Sequence, residues 1–180
     1  EEALFIIEGI KLVTEFIDQQ KYAVKEVFAT AEYISNHQSI LEKNQINFCE
    51  ISLEELKKIS LQTTPNQVLA IVKECQQTIN TNTLISSTTL YLDDIRDPGN
   101  LGTIIRIADW FGIHQVICSP KCTELYNPKT LQASMGAVLR VNVVTQNFDE
   151  LFPKLKNVPI YGALLEGKNI YTSELKHGLI

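Results

Sequence analysis

Arginine is scarce in this chain of 180 residues. There are three, Arg96, Arg106 and Arg140, and none lies before position 96. A guanidinium is the preferred group for bidentate phosphate contacts, so any anion chemistry belongs to the second half. The net charge is −5, which gives no general support for nucleic-acid binding. That charge is uneven: residues 1–75 carry 7 Lys and 12 Asp/Glu, a balance of −5, and residues 76–180 carry 9 basic and 9 acidic residues, a balance of zero. No apolar run reaches the roughly 20 residues that a membrane-crossing helix needs. The opening EEALFIIEG has no basic stretch of the kind that begins a signal peptide. Four cysteines, Cys49, Cys75, Cys118 and Cys122, are scattered. Only the last two are close, as CSPKC, and no second pair or histidine completes a zinc pattern. No metal site is expected, and free thiols in a reducing, cytoplasmic setting without membrane attachment are. No repeat of fixed period is present.

Hydrophobic residues make up 44% of the chain, enough for one sizeable core or two small ones. The first half alternates between elements. LFII (4–7) reads as a strand, residues 9–20 as a helix with an apolar stripe, VKEVFA (24–29) as a strand, SILEKN as a short helix and INFCEI (46–51) as a strand. Ser52 and Glu55 form a capping box at the head of SLEELKKIS, and QVLAIV (67–72) is a further strand. The polar segment from Cys75, CQQTINTNTLISSTT, reads as a linker. The second half alternates again: TLYLDD strand, LGTIIRIADWF helix, HQVICS strand, PKTLQASMGA helix opened by Asn127-Pro128, VLRVNVV strand, FDELFPKLK helix broken at Pro153, and VPIYGALLEG (158–167) strand. Short helices between strands favour parallel sheets with right-handed crossovers. The expected organisation is two α/β domains, residues 1–74 and 89–180, with residues 75–88 as the linker.

The stretch YLDDIRDPGNLGTIIRIADWFGI (91–113) carries the chemistry. Ligands of an open parallel sheet bind beyond the C-terminal strand ends, where DDIRDPGN lies. Pro98-Gly99 fits the centre of a type II turn, and Asn100 can cap the following helix. With about 100° per residue, Leu101, Ile104, Ile105, Ala108 and Gly112 form the core stripe. Gly102, Arg106 and Asp109 form a second face, and Thr103, Ile107 and Trp110 an outer one. An exposed tryptophan and isoleucine point to a protein–protein surface, most simply a second subunit. The plainest account of Arg106 is a solvated charge paired with Asp109.

That stretch closely resembles the first signature of the SpoU (TrmH-like) RNA ribose methyltransferases of the SPOUT class. The shared pattern is an acidic strand end, D-P-x-N-x-G and an arginine six residues after the asparagine. NPKTLQASMGAVLRV resembles the family's next segment, in which small residues, here Ala133, Ser134, Gly136 and Ala137, let a helix pack closely. FIIEGIKLV and TPNQVLAIV resemble the substrate-binding domain of many members, itself similar to small RNA-binding ribosomal proteins. The resemblance implies an α/β fold: a small N-terminal substrate-binding domain followed by a SPOUT domain with a parallel sheet. The C-terminal trefoil-knot part of that domain is missing from this chain.

The implied reaction moves a methyl group from S-adenosylmethionine to a ribose 2′-hydroxyl of ribosomal or transfer RNA. Asn100 and Arg106 are the implied catalytic residues. A guanidinium makes a poor base, so Arg106 is expected to hold an RNA phosphate and the attacking oxygen together. The strand end Leu165-Glu166-Gly167 is the expected remnant of the cofactor wall. Arg96, Lys11, Lys21 and Lys25 are the candidates for gripping RNA, and a homodimer through the second domain is expected. The family's N/G-x-E-G-x-G loop and S-L-N-like segment have no counterpart here. The chain is therefore expected to be the interior of a longer protein, incomplete at both ends and inactive by itself. Two rivals are weaker. A phospho-receiver domain needs a lysine at a later strand end, and VPIYGALLEG has none in place. A non-catalytic RNA-binding relative, without cofactor binding, would lack a G-x-E-G loop downstream of residue 180.

Overall fold

The computed structural model of the protein describes residues 3–174 and 176–180. In the first half the elements are β1 (Leu4–Glu8), α1 (Ile10–Gln19), β2 (Val24–Ala29), α2 (Ala31–Lys43), β3 (Phe48–Glu50), α3 (Leu53–Ile59) and β4 (Val68–Lys73). Helix α1 turns one apolar stripe inward, burying Val13, Phe16 and Ile17. The Thr30 side chain accepts from the Tyr33 N–H and starts α2 well before the SILEKN stretch that periodicity alone marks. The capping box of Ser52 and Glu55 forms as expected. The sheet order is β1-β4-β2-β3. It is mixed rather than parallel: β2 and β3 are parallel, and β4 runs antiparallel to both β1 and β2. An inserted strand thus splits the β1-α1-β2 crossover. The near-continuous apolar pattern of β4 does not reveal its direction.

The second half contains α4 (Thr81–Ser86), β5 (Leu90–Leu92), α5 (Pro98–Trp110), β6 (Gln115–Cys118), α6 (Pro128–Ser134), β7 (Asn142–Thr145) and α7 (Phe148–Leu151). Strands β5, β6 and β7 form a parallel sheet in that order. Its two faces bury different clusters. Val116 and Cys118 join the large core, and Ile117 packs with Leu84 of α4, Leu151 of α7 and Leu179. The polar 75–88 segment is therefore not bare chain: Asn80 caps α4, and Leu84 is buried.

Two expected strands differ. VLRVNVV begins with a 3-10 turn at Ala137–Leu139, and only Asn142–Thr145 enters the sheet. VPIYGALLEG forms no strand. Ile160 alone bridges to Leu179, which bridges on its other side to Thr89. Residues 178–180 lie in parallel between 159–161 and 89–91, joined by five backbone hydrogen bonds of 2.6–2.9 Å. Beyond Tyr161 the chain leaves the sheet, and residues 162–170 are exposed.

The halves share one continuous core. Tyr126 stacks on Phe5 with ring centroids 4.5 Å apart and meets Tyr22 edge-on at 6.1 Å. Its hydroxyl donates to the Cys75 carbonyl at 2.9 Å. Arg140 bonds Glu15 of α1 and also Asp109 of α5, at 2.8 Å.

Candidate functional site

The loop from β5 to α5 is built by a segment that composition marks only as free thiols. The Asp94 N–H donates to Ser119 Oγ at 3.1 Å, and the Ile95 N–H donates to Cys122 Sγ at 3.3 Å. Cys122 in turn donates to the Leu92 carbonyl at 3.2 Å. CSPKC thus splints the end of β5, so Ser119 and Cys122 belong to the site's scaffold. The sequence signal for this was the position of CSPKC at the end of the next parallel strand. Burial pushes the neighbouring Cys118 thiol up to about 12.

Pro98 and Gly99 are the first residues of α5, not the centre of a type II turn. Proline at the first helical position places the cap one residue earlier. Asp97 is that cap, accepting from the Asn100 N–H at 2.8 Å. The Lys129 ammonium lies 3.2 Å from the Asp97 carboxylate. The Asn100 hydrogen bond, then Lys129, hold the Asp97 carboxyl below its ordinary value. Asn100 therefore sits in the first helical turn. Its side chain is exposed and has no hydrogen-bond partner among the described residues.

Arg106 lies six residues on, about 9 Å along the helix, and is exposed. Its expected pairing with Asp109 does not form, because Asp109 is bound to Arg140. Instead, Nη1 of Arg106 donates to Met135 Sδ at 3.0 Å. Met135 closes α6 in a left-handed conformation, φ 49°, and the left-handed Gly136 comes next. A thioether is a weak acceptor. The contact orients the guanidinium and leaves most of its donors open.

The approach of α5 to α6 depends on Gly102. A Cβ there would stand 2.7 Å from the Ala133 Cβ and 2.9 Å from the Ser134 nitrogen, and closer still to the Thr130 carbonyl oxygen. The small residues of the 127–141 segment do give close packing, with Gly102 as their counterpart on the facing helix. This packing brings Met135 to Arg106.

The remaining candidates are dispersed. Arg96 forms a bidentate pair with Asp94, at 2.8 and 2.9 Å, and stays exposed. Lys21 does not belong to a free basic patch. Its ammonium is half-buried and donates to the carbonyls of Val138 and Val141 at 2.9 and 3.3 Å, and burial lowers its pKa. Lys25 is exposed, at the register shift between Val24 and Glu26 in β2. Lys11, on α1, lines a cleft of about 250 Å³ between the halves, together with Gln62, Asn66, Gln132 and Met135. Leu165 and Glu166 form an exposed turn, closed by the Gly167 N–H on the Leu164 carbonyl at 3.3 Å. Gly167 also lines a cavity of about 770 Å³ with Ile160, Leu164, Ile170, Thr172 and Ser173. Leu165 and Glu166 stand at its rim and not in its wall. Among the described residues no group of His, Cys, Asp and Glu could hold a metal ion. None of the described helices is long and apolar enough to cross a membrane.

On the outer face of α5, Trp110 is 85% exposed, Phe111 73% and Ile107 49%. A patch of this kind on a helix end is unusual without a partner.

The parallel β5-β6-β7 sheet, with a capped helix start at its strand ends and an open arginine further along that helix, defines an α/β protein with a candidate ligand site on α5. Comparison with known proteins agrees. Residues 87–180 match the model of the SpoU rRNA Methylase family, and residues 1–70 match the MRM3-like substrate binding domain. The chain belongs to the SpoU rRNA methylase family. It is 30% identical to the Bacillus subtilis 23S rRNA (guanosine(2553)-2′-O)-methyltransferase RlmP, over 90% of this chain and 63% of that protein. It is 27% identical to human mitochondrial rRNA methyltransferase 3, over 80% of this chain and 35% of the relative. It therefore spans less than two thirds of either relative. A structure described as a TrmH-family RNA methyltransferase from Porphyromonas gingivalis superimposes with a TM-score of 0.79. That alignment is 32% identical and covers 98% of this chain and 70% of the other. The AdoMet-bound rRNA methyltransferase of Sinorhizobium meliloti, 23% identical with a TM-score of 0.81, shares the fold over 98% of this chain and 68% of its own.

Proposed function

We propose that this chain provides the RNA-gripping and ribose-activating part of an S-adenosylmethionine-dependent RNA 2′-O-methyltransferase. Residues 1–74 act as the substrate-binding unit, 75–88 as the connection and 89–180 as the methyltransferase unit. The observation that carries the reading is the pair of open polar groups on α5. The Asn100 amide has no partner among the described residues, because Asp97 does the capping, and the Arg106 guanidinium is oriented by Met135 instead of paired to Asp109. A buried or paired arginine would be a structural one; this one is open for a ligand.

A planar guanidinium can hold a phosphate oxygen and a ribose oxygen at once. In this role Arg106 fixes the 2′-oxygen in line for transfer, an orientation effect worth several powers of ten in rate. The Asn100 amide, with donor and acceptor on one group, orients the same ribose. S-adenosylmethionine, when bound, supplies an electrophilic methyl group on a positively charged sulfur. The cavity beside Gly167 fits such a group. Ile160, Leu164 and Ile170 offer apolar surface for a base, and the hydroxyls of Thr172 and Ser173 offer partners for a sugar. Leu165 and Glu166 border that wall. Arg96, Lys11 and Lys25 are the exposed cations that RNA can reach, and Lys21 is instead a brace between the halves. The Ile107, Trp110 and Phe111 face supports a homodimer through the second unit, and a cytoplasmic location suits the four free thiols.

The test uses the full-length protein with labelled cofactor on bulk ribosomal and transfer RNA. Arg106→Ala should abolish transfer and leave cofactor affinity nearly unchanged. Arg106→Lys keeps the charge and loses the planar fork, so it should also fall a hundredfold or more, roughly 2.7 kcal/mol. Full activity in Arg106→Ala would refute the assignment. RNA binding with no transfer by the wild type would identify a non-catalytic relative.

A further inference from the structure

We infer that the cleft between the two halves, walled by Lys11, Gln62, Asn66, Gln132 and Met135, is a nucleotide subsite that holds the RNA residue next to the one presented to Arg106. This rests on the proposed methyl transfer to RNA and adds to it where the neighbouring nucleotide sits and how it is recognised. The first support is continuity. Met135 is at once part of the cleft wall and the contact of the Arg106 guanidinium, so the cleft opens directly beside the candidate catalytic group.

The second support is the state of the polar groups. Two carboxylates also line the cleft, and an anionic ligand would ordinarily be repelled by them. The charge of Glu15 is offset by a guanidinium, and the oxygens of Glu8 are held by neutral donors of the segment after α3. Glu8 accepts from the Leu61 N–H at 2.9 Å and from Ser60 Oγ, and Glu15 accepts from Arg140. The side chains of Lys11, Gln62, Asn66 and Gln132 have no hydrogen-bond or ion-pair partner among the described residues. An acid paired internally beside four open amide and ammonium donors is a surface arranged for a ligand with many acceptors.

The third support is chemical class. Three amides offer paired donors and acceptors, which suits the edge of an unstacked base, and one ammonium suits its phosphate. A single-stranded nucleotide meets both requirements. The wall is also fixed in shape. The Lys21 brace, the Arg140 pairs and the Tyr126 stack tie α1 and β1 to the 126–141 segment on either side of the cleft.

The experiment compares the full-length wild type with an Asn66→Ala/Gln132→Ala double variant. Both positions are exposed, so the fold should survive. Lys57→Ala on α3, outside the cleft, is the control. Binding of fluorescein-labelled single-stranded oligoribonucleotides is read by anisotropy, and methyl transfer by labelled cofactor. The double variant should lose roughly tenfold or more in RNA affinity, and its KM for RNA should rise by a similar factor. Its kcat at saturating RNA and its cofactor affinity should hold, and its preference for the nucleotide beside the methylated one should relax. Lys57→Ala should match the wild type. If the wild type transfers methyl groups and the double variant matches it in affinity, KM and neighbour preference, the subsite is wrong and the methyl-transfer reading stands. If the wild type binds RNA through these residues and transfers nothing, the subsite stands and the methyl-transfer reading falls. A wild type that binds no RNA overturns both.

Discussion

Replacing Gly102 by alanine sets two known effects against each other, and the structure decides which wins. In the middle of a helix, Gly→Ala ordinarily stabilises by about 1 kcal/mol. Here the added methyl group would meet the Ala133 Cβ at 2.7 Å, the Ser134 nitrogen at 2.9 Å and, nearer than either, the Thr130 carbonyl oxygen. A carbon–oxygen contact normally rests at about 3.3–3.6 Å. Two of the three obstacles are backbone atoms of α6, which no rotamer change can remove, so α6 must move away from α5 as a unit. Overpacking of this kind costs about 1–3 kcal/mol or more. Three contacts this short, two of them with backbone, put the site in the upper part of that range, at about 2–3 kcal/mol, and subtracting the propensity gain of about 1 kcal/mol leaves a net loss of about 1–2 kcal/mol. For a chain of this size each kcal/mol lowers Tm by about 2–4 °C, so calorimetry should record a fall of about 2–8 °C. Thr103→Ala, one residue on and facing solvent, is the control and should be near neutral. Since α6 carries Met135 at its end, the displaced helix should also misplace Arg106, and methyl transfer in the full-length protein should drop more than the stability loss explains. An unchanged or higher Tm for Gly102→Ala would refute the packing argument outright.

Other consequences can be checked singly. The Asp97 carboxyl is held below its ordinary value by the Asn100 N–H and Lys129, so its cap stabilises the chain above about pH 4 and is lost as pH falls through the depressed folded value. Urea titrations should show that acid-dependent loss in the wild type and less of it in Asp97→Asn. Tyr126→Phe removes the hydrogen bonds to Cys75 and keeps the ring stack, at a cost of about 1 kcal/mol. Tyr126→Ala removes both and should cost about 2–3 kcal/mol in the same melts. Arg140→Ala breaks the pairs to Glu15 and Asp109, which are partly exposed, and should cost only about 1 kcal/mol in denaturant. With a thiol reagent at pH 8, the exposed Cys49 and Cys75 should react promptly and Cys118 only on unfolding.

Periodicity and capping made most elements legible, from the α1 stripe to the Ser52 box and the Asn127-Pro128 start of α6. The start of α5 was readable and was misassigned. Asp97 and Asn100 are both able to cap, and Pro98 settles the question, because proline belongs at the first helical position. The direction of β4 was not readable, since a strand buried on both faces looks the same in either direction. The expected strand at 158–167 failed for a topological reason. Its head is paired only through residues 178–180, and past Tyr161 no neighbouring strand is present among the described residues to hold an extended chain. Long-range partners were the least legible of all. Spacing on one helix pairs Arg106 with Asp109. The fold gives Asp109 to an arginine 31 residues on and Arg106 to a thioether 29 residues on.

The seam between the halves bears on how the site can work. Interfaces between domains of one chain are ordinarily polar enough to permit relative motion. This one has the Phe5, Tyr22 and Tyr126 rings at its centre, with the Lys21 ammonium on two carbonyls of the opposite half. An ammonium that is half-buried against carbonyls loses hydration that it would regain if the seam opened, and its lowered pKa reports that cost. The cost is tolerated because the aromatic contacts around it outweigh it, each pair adding about 0.5–1.5 kcal/mol beyond burial. The seam therefore behaves as part of the core and not as a hinge. Whatever the first half grips is then held at a fixed offset from the start of α5. With offset and orientation set in advance, a ligand bound across the cleft does not have to supply the energy of domain closure, and its binding energy remains available to align the reacting oxygen.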